Sequence, residues 1–200
     1  MGDCMKTRLI LVKYVASEFD DDGFFKNRKP INKGVASLEG LSFSLENIDC
    51  DIDLLYSGTD VLSVQTAKEI SSQKKVPLTV SEYLEDVYGG DWEDKKWEDI
   101  SKKFAHEYRL WQDRPYELKV PNGESIDEFK NRLIMKLRDL VNRNSGKNIC
   151  YVTGDYPINL LLSYFKKLDY TKLSFAKKFE GGSIYYIDIE NGNFSVIKER

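Results

Sequence analysis

Thr7-Arg8-Leu9-Ile10-Leu11-Val12-Lys13 sets four consecutive apolar residues between charged ones. That is the pattern of a strand covered on both faces, as in a parallel sheet, and it is expected to be the central strand. The segments after it alternate in kind. Ile52 to Tyr56 reads as a strand, and Val61, Val64, Ala67 and Ile70 as the apolar positions of a helix. Ser125-Ile126-Asp127-Glu128 is a capping box, with Ile126, Phe129, Leu133, Leu137 and Leu140 as the apolar stripe of a long helix behind it. Asn148 to Thr153 reads as another strand and Pro157 to Phe165 as a helix with Pro157 in its first turn. Ser183 to Ile189, the turn Asn191-Gly192 and Phe194 to Ile197 read as a terminal hairpin. Nearer the start, Asn32 is placed to cap a helix carrying Val35, Leu38, Leu41 and Leu45. This alternation predicts an α/β fold: a mostly parallel central sheet flanked by helices, with a ligand crevice just after Val12, Tyr56 and Val152.

The stretch from Val80 to Gln112 departs from this pattern, being rich in Trp, Tyr and alternating charges. A helix is expected over Trp97 to Trp111 and turns at Gly89-Gly90, so residues of about 80–122 read as a helical insertion over the active-site end of the sheet. Trp92, Trp97, Trp111, Tyr83, Tyr88 and Tyr108 fit either of two roles. They form a surface that docks a protein partner, or, as is commoner for aromatics at helical spacing, a satellite core under the insertion.

Two hundred residues suit one domain spanning 1–200, with an ordinary globular composition. Thirty basic against thirty-three acidic residues, without a basic stripe, argue against nucleic acid or an anionic membrane as partner. The run Leu9 to Val12 is far too short to cross a bilayer. Cys4, Cys50 and Cys150 are odd in number and widely spaced, which suits neither a disulfide framework nor a zinc motif. The expectation is a soluble, cytoplasmic protein with no cofactor and no metal.

The predicted strand ends carry a family pattern. Leu9-Ile10-Leu11-Val12-Lys13-Tyr14-Val15-Ala16-Ser17 resembles the strand and Arg-His-Gly-Glu-Thr/Ser turn that opens histidine phosphatases of the phosphoglycerate-mutase-like superfamily. Pro30-Ile31-Asn32-Lys33-Gly34 resembles that family's Pro-Leu-Thr-x-x-Gly helix start, one residue shorter. Leu55-Tyr56-Ser57-Gly58 with Gln65-Thr66-Ala67 is similar to its Tyr-Ser-Ser-Pro…Arg-Ala-x-Gln-Thr-Ala segment. Gly90-Asp91-Trp92-Glu93 and Trp97-Glu98-Asp99-Ile100 are similar to Gly-x-Trp-Glu-Gly…Trp…Ile. Pro121-Asn122-Gly123-Glu124-Ser125 with Arg132 resembles Pro-x-Gly-Glu-Ser…Arg, and Tyr151-Val152-Thr153-Gly154 falls where Val-Ser-His-Gly belongs. The matches keep the family's order along nearly the whole chain, which implies its three-layer fold.

The same resemblance implies altered chemistry. In the family a histidine nucleophile takes the phosphoryl group, two arginines and a second histidine hold its oxygens, and an acid protonates the leaving group. Here Tyr14 stands for the nucleophile, Lys13 for the arginine beside it, Leu62 for the second arginine and Gly154 for the second histidine. The proton donor falls on or near Asp86; Ser17 fits the family's Thr/Ser and Asp20 its Asn. The sole histidine, His106, lies in the predicted middle helix, outside these positions. Asp20, Asp86 and Asp155 are expected either to gather around Lys13 or to stay apart as solvated loop residues. If gathered, like charges about 4 Å apart repel by roughly 4 kcal/mol at an effective dielectric near 20, which disfavours a phosphate dianion. Tyr14 as nucleophile needs an activating neighbour, and strand alternation sends Lys13 to the opposite face. The expectation is therefore a catalytically inactive scaffold that binds a small ligand, cationic or amine-bearing, or a protein partner. The alternative is an enzyme of different chemistry, acid–base or acyl transfer by Tyr14, Lys13, Asp86 and Asp155.

Overall fold

The computed structural model describes residues 6–15, 45–46, 48–172 and 179–199. Six strands form one sheet: β1 (Thr7–Lys13), β2 (Leu54–Ser57), β3 (Leu78–Val80), β4 (Asn148–Thr153), β5 (Ile184–Glu190) and β6 (Asn193–Glu199), in the order β3-β2-β4-β1-β5-β6. β1, β2, β3 and β4 run parallel, and β5 and β6 are added antiparallel at one side. β1 is interior, as its apolar run predicts. Leu9 and Leu11 enter the core on one face, and Ile10 and Val12 that on the other.

The helices divide between the two faces. α1 (Val61–Lys74) buries Ala67 and Ile70 on the Ile10 face, beside Leu45. The opposite face is covered by α2 (Trp97–Lys103), α4 (Ile126–Arg143) and α5 (Asp155–Phe165), through Ile100, Leu133, Leu137, Ile158 and Leu161. This is the expected α/β arrangement of three layers around a mixed, mostly parallel sheet.

Local signals explain most boundaries. Asp60 caps α1 by accepting from the Ser63 N–H at 2.8 Å. The capping box is complete: Ser125 Oγ accepts from the Glu128 N–H, and Glu128 accepts from the Ser125 N–H at 2.8 Å. Asn191 and Gly192 close the β5–β6 hairpin with φ of 51° and 74°, the left-handed pair that a tight two-residue turn needs.

Four expectations need correction. β2 starts at Leu54 because the residues before it turn to satisfy Asn148, whose backbone N–H donates to Asp53 Oδ2 and whose amide donates to the Asp51 carbonyl. The short edge strand β3 was not expected. The single helix predicted over Trp97 to Trp111 is two, α2 and α3 (Ala105–Asp113), broken at Phe104 with φ −125° and ψ 48°. The break brings Trp97 and Trp111 to the same ring, Trp92, at 6.0 and 6.1 Å. α5 starts at Asp155 with Gly154 as its N-cap, two residues ahead of Pro157. The helix expected after Asn32 lies outside the described residues except for Leu45, which is buried.

The insertion aromatics form a packed cluster. Trp92 is fully buried, while Trp97, Trp111, Tyr83 and Tyr108 are half-buried against the main core. Of the six, Tyr88 is exposed. Among the described residues no helix is long and apolar enough to cross a membrane.

Candidate active site

The carboxyl ends of β1, β2 and β4 lie side by side, with Lys13 level with Thr153 and Ser57 with Val152. Lys13 is pinned by its backbone: its N–H donates to the Ser183 carbonyl and its own carbonyl accepts from the Gly182 N–H. The chain leaves the strand with the Tyr14 N–H donating to the Thr153 carbonyl and the Val15 N–H to Thr66 Oγ1.

Lys13 is 2% exposed, and its ammonium nitrogen sits 3.5 Å from Asp155 Oδ2 and 3.2 Å from the centroid of the Tyr14 ring. Alternation therefore does not separate these neighbours. β1 ends at Lys13, so Tyr14 is free of the pleat and its ring folds onto the ammonium. Burial lowers the Lys13 pKa, and the charges of Asp155, Asp86 and Asp60 oppose that effect without cancelling it.

Asp155 opens α5; its Oδ1 accepts from the Phe179 N–H at 2.9 Å while Oδ2 faces Lys13. Asp86 is half-buried, with Oδ1 accepting from its neighbour Val87 at 2.7 Å. Its Oδ2 lies 3.0 Å from the point a Cβ on Gly154 would occupy, and Tyr14 Cε1 lies 3.3 Å from that same point. The space that a side chain at 154 would enter is thus shared by a carboxylate and a phenol ring.

Asp155 pairs with Lys13, and the charge of Asp86 also reaches it. Ser17 and Asp20 lie outside the described residues. Leu62 is half-buried in the first turn of α1, and the group of that turn whose charge reaches Lys13 is the cap, Asp60. His106 is exposed on α3.

Sequence reasoning missed several contributors. Asp60 carried a visible signal, an acid ahead of the α1 apolar pattern, but only as a cap. Tyr156 lies close enough to Asp86 and Asp155 for both charges to act on it; burial pushes its phenol up and they push it further. Its ring meets Trp111 edge-on at 5.4 Å, tying the insertion to the crevice. Arg132, seen only as a motif residue, donates to Glu124 at 2.7 and 2.9 Å and to the carbonyls of Glu85 and Asp86 at 3.3 and 3.0 Å. Burial is the largest influence and works against its charge, but the Glu124 bonds and the charges of Glu124, Asp86 and Glu85 together outweigh it and raise its pKa.

A three-layer α/β fold whose parallel strand ends present a lysine, a tyrosine and carboxylates defines a crevice for polar small-molecule chemistry. Residues 32–199 match the histidine phosphatase superfamily (branch 1), and the chain belongs to that family. It is 22% identical over 170 residues to phosphoserine phosphatase 1 of Hydrogenobacter thermophilus, covering 82% of this chain and 79% of that protein. It is also 22% identical over 159 residues to the adenosylcobalamin/alpha-ribazole phosphatase of Escherichia coli, covering 78% and 77% of the two chains. The solved structure of Bacillus stearothermophilus YhfR superimposes with a TM-score of 0.80 at 18% identity, covering 95% of each chain. These findings overturn the expectation of an inactive binding scaffold, and with it the alternative of acid–base or acyl-transfer chemistry. Both of these curated relatives, and several of the similar solved structures, are phosphatases by name.

Proposed function

We propose that the protein is a phosphomonoester phosphatase in which Tyr14 takes the place of the family's histidine nucleophile and Asp86 carries the proton. The single observation that supports this assignment is the Lys13 ammonium 3.2 Å from the Tyr14 ring centroid. A cation against the ring favours negative charge developing on the phenol oxygen as it attacks. In this reading Tyr14 Oη bonds to phosphorus while the bond from phosphorus to the leaving oxygen breaks. The phenol proton passes to the Asp86 carboxylate and from there to the leaving alcohol. Water then attacks the phosphotyrosine, Asp86 takes a proton from that water and returns it to the phenol oxygen, and inorganic phosphate departs.

Both family histidine positions are replaced in this reading, by Tyr14 and Gly154, and the second arginine by Leu62. Each missing donor costs on the order of 10²–10³ in turnover, so the protein is expected to be slow relative to members that keep all of them. The test is phosphate release from 4-nitrophenyl phosphate and O-phosphoserine, with acid quench and mass analysis of the peptide containing Tyr14. A phosphoryl group on Tyr14 and loss of turnover in Tyr14→Phe are the expected results. Turnover no higher than that of a Tyr14→Phe/Asp86→Asn double variant would refute the proposal.

A further inference from the structure

Asp86 stands on a segment, residues 85–88, that belongs to no helix or strand. A side chain that has to carry a proton cannot wander, because a displacement near 1 Å can cost about a hundredfold in rate. The fixation comes from Arg132 of α4. Arg132 Nη1 and Nη2 donate to the carbonyls of Glu85 and Asp86 at 3.3 and 3.0 Å. The guanidinium is itself held by the two bonds it donates to one carboxylate, Glu124, at 2.7 and 2.9 Å. Glu124 completes the loop with two more bonds: its Oε2 accepts from the Tyr88 N–H at 3.1 Å, and its own N–H donates to the Tyr88 carbonyl at 2.8 Å. Both ends of the segment are therefore gripped by one Glu–Arg pair, and the Asp86 carboxylate, anchored on the Val87 N–H, projects from the gripped stretch to Gly154 and Tyr14.

We infer that Arg132 is a positioning residue of this site: with Glu124 it clamps residues 85–88 so that Asp86 is held beside Tyr14, and it contacts no substrate itself. The planar fork matters here, since one guanidinium serves a carboxylate and two carbonyls at once; an ammonium has the charge without that geometry. The kinetic part rests on the phosphatase reading above, and the structural part does not.

The experiment compares the full chain with Arg132→Met, Arg132→Lys and, as a control on the same helix, Arg138→Met, whose side chain pairs with Tyr164 instead. Two readouts are taken after thermal unfolding shows each variant folded: kcat and KM for 4-nitrophenyl phosphate, and the backbone amide resonances and exchange of Val87 and Tyr88. Arg132→Met is expected to lose on the order of a hundredfold in kcat with KM within about twofold, and to move and deprotect both amides. Arg132→Lys is expected to recover only part of each, and Arg138→Met to change neither. Unmoved Val87 and Tyr88 amides in Arg132→Met overturn the clamp whether or not the protein turns over. A loss carried by KM overturns it too, because that assigns Arg132 to substrate binding. If the parent shows no turnover while Arg132→Met still moves the two amides, the phosphatase reading falls and the clamp stands. If Arg132→Met does not fold, Glu124→Gln, which weakens the pair without emptying the site, is read by the same two measurements.

Discussion

Lys13 and Tyr14 are adjacent in sequence, yet the ammonium of one lies 3.2 Å from the ring centroid of the other, inside a crevice where Lys13 is 2% exposed. A lysine so placed feels three carboxylates, Asp155 at 3.5 Å together with Asp86 and Asp60. Removing it by Lys13→Met is expected to lower kcat/KM for an aryl phosphate by about 10²-fold, and Tyr14→Phe to bring phosphate release to background. Lys13→Arg should be poorer than the parent, because a flat guanidinium does not fit the compact space against the ring. A Lys13→Met variant with full activity would dissociate the lysine from the chemistry.

The same lysine gives a pH dependence with a definite sign. Burial lowers its pKa from the ordinary 10.5, so between the folded value and 10.5 the unfolded chain binds one proton more than the native chain. Unfolding free energy from this group therefore rises with pH across that window and is flat below it. Urea unfolding of the parent and of Lys13→Met at several pH values isolates this effect, since other titrating groups cancel in the difference. The parent should gain on the variant as the pH approaches 10.5. A parent that instead loses ground to the variant would mean that the carboxylates around Lys13, and not its burial, set its charge.

Ser125→Ala removes one half of the capping box that starts α4, and should cost about 1 kcal/mol. For a domain of this size that is a fall of about 2–4 °C in the thermal midpoint. The helix carries Arg132 two turns further on, so a loss much greater than this would show that cap and clamp are coupled.

How far these features were legible in the chain depends on how local their causes are. The bounds of β1 and β4 follow from unbroken apolar runs, and the capping box and the Asn191-Gly192 turn are written in neighbouring residues. β3 was invisible because Leu78–Val80 is three residues long, half exposed and preceded by Pro77. The break at Phe104 answers to a ring, Trp92, that is remote in sequence from Trp111. At the site, the positions of Lys13, Tyr14, Gly154 and Asp155 were readable as strand-end residues, and that of Asp86 through the family resemblance. Their contacts were not: strand alternation fails one residue past the strand, and the grip of Arg132 on residues 85–88 joins segments that only the tertiary fold brings together.

Gly154 offers the sharpest separation of activity from stability. Its φ is −90° and ψ −176°, extended backbone that alanine adopts without strain. Gly154→Ala should therefore stay within about 1 kcal/mol of the parent in stability, the gain through the unfolded chain being offset by alanine's poorer fit at the α5 N-cap and by the close contacts of its methyl. The added methyl, however, meets Asp86 Oδ2 at 3.0 Å and Tyr14 Cε1 at 3.3 Å, so the carboxylate must give way. That displacement should lower kcat by about tenfold or more. The cause is checked by a double-mutant cycle: on an Asp86→Ala background the methyl has no carboxylate to displace, and the part of its kinetic cost that runs through Asp86 should vanish. An equal cost on both backgrounds would show that the methyl acts on Tyr14 or on the substrate itself, and that Asp86 does not carry the proton from where it stands.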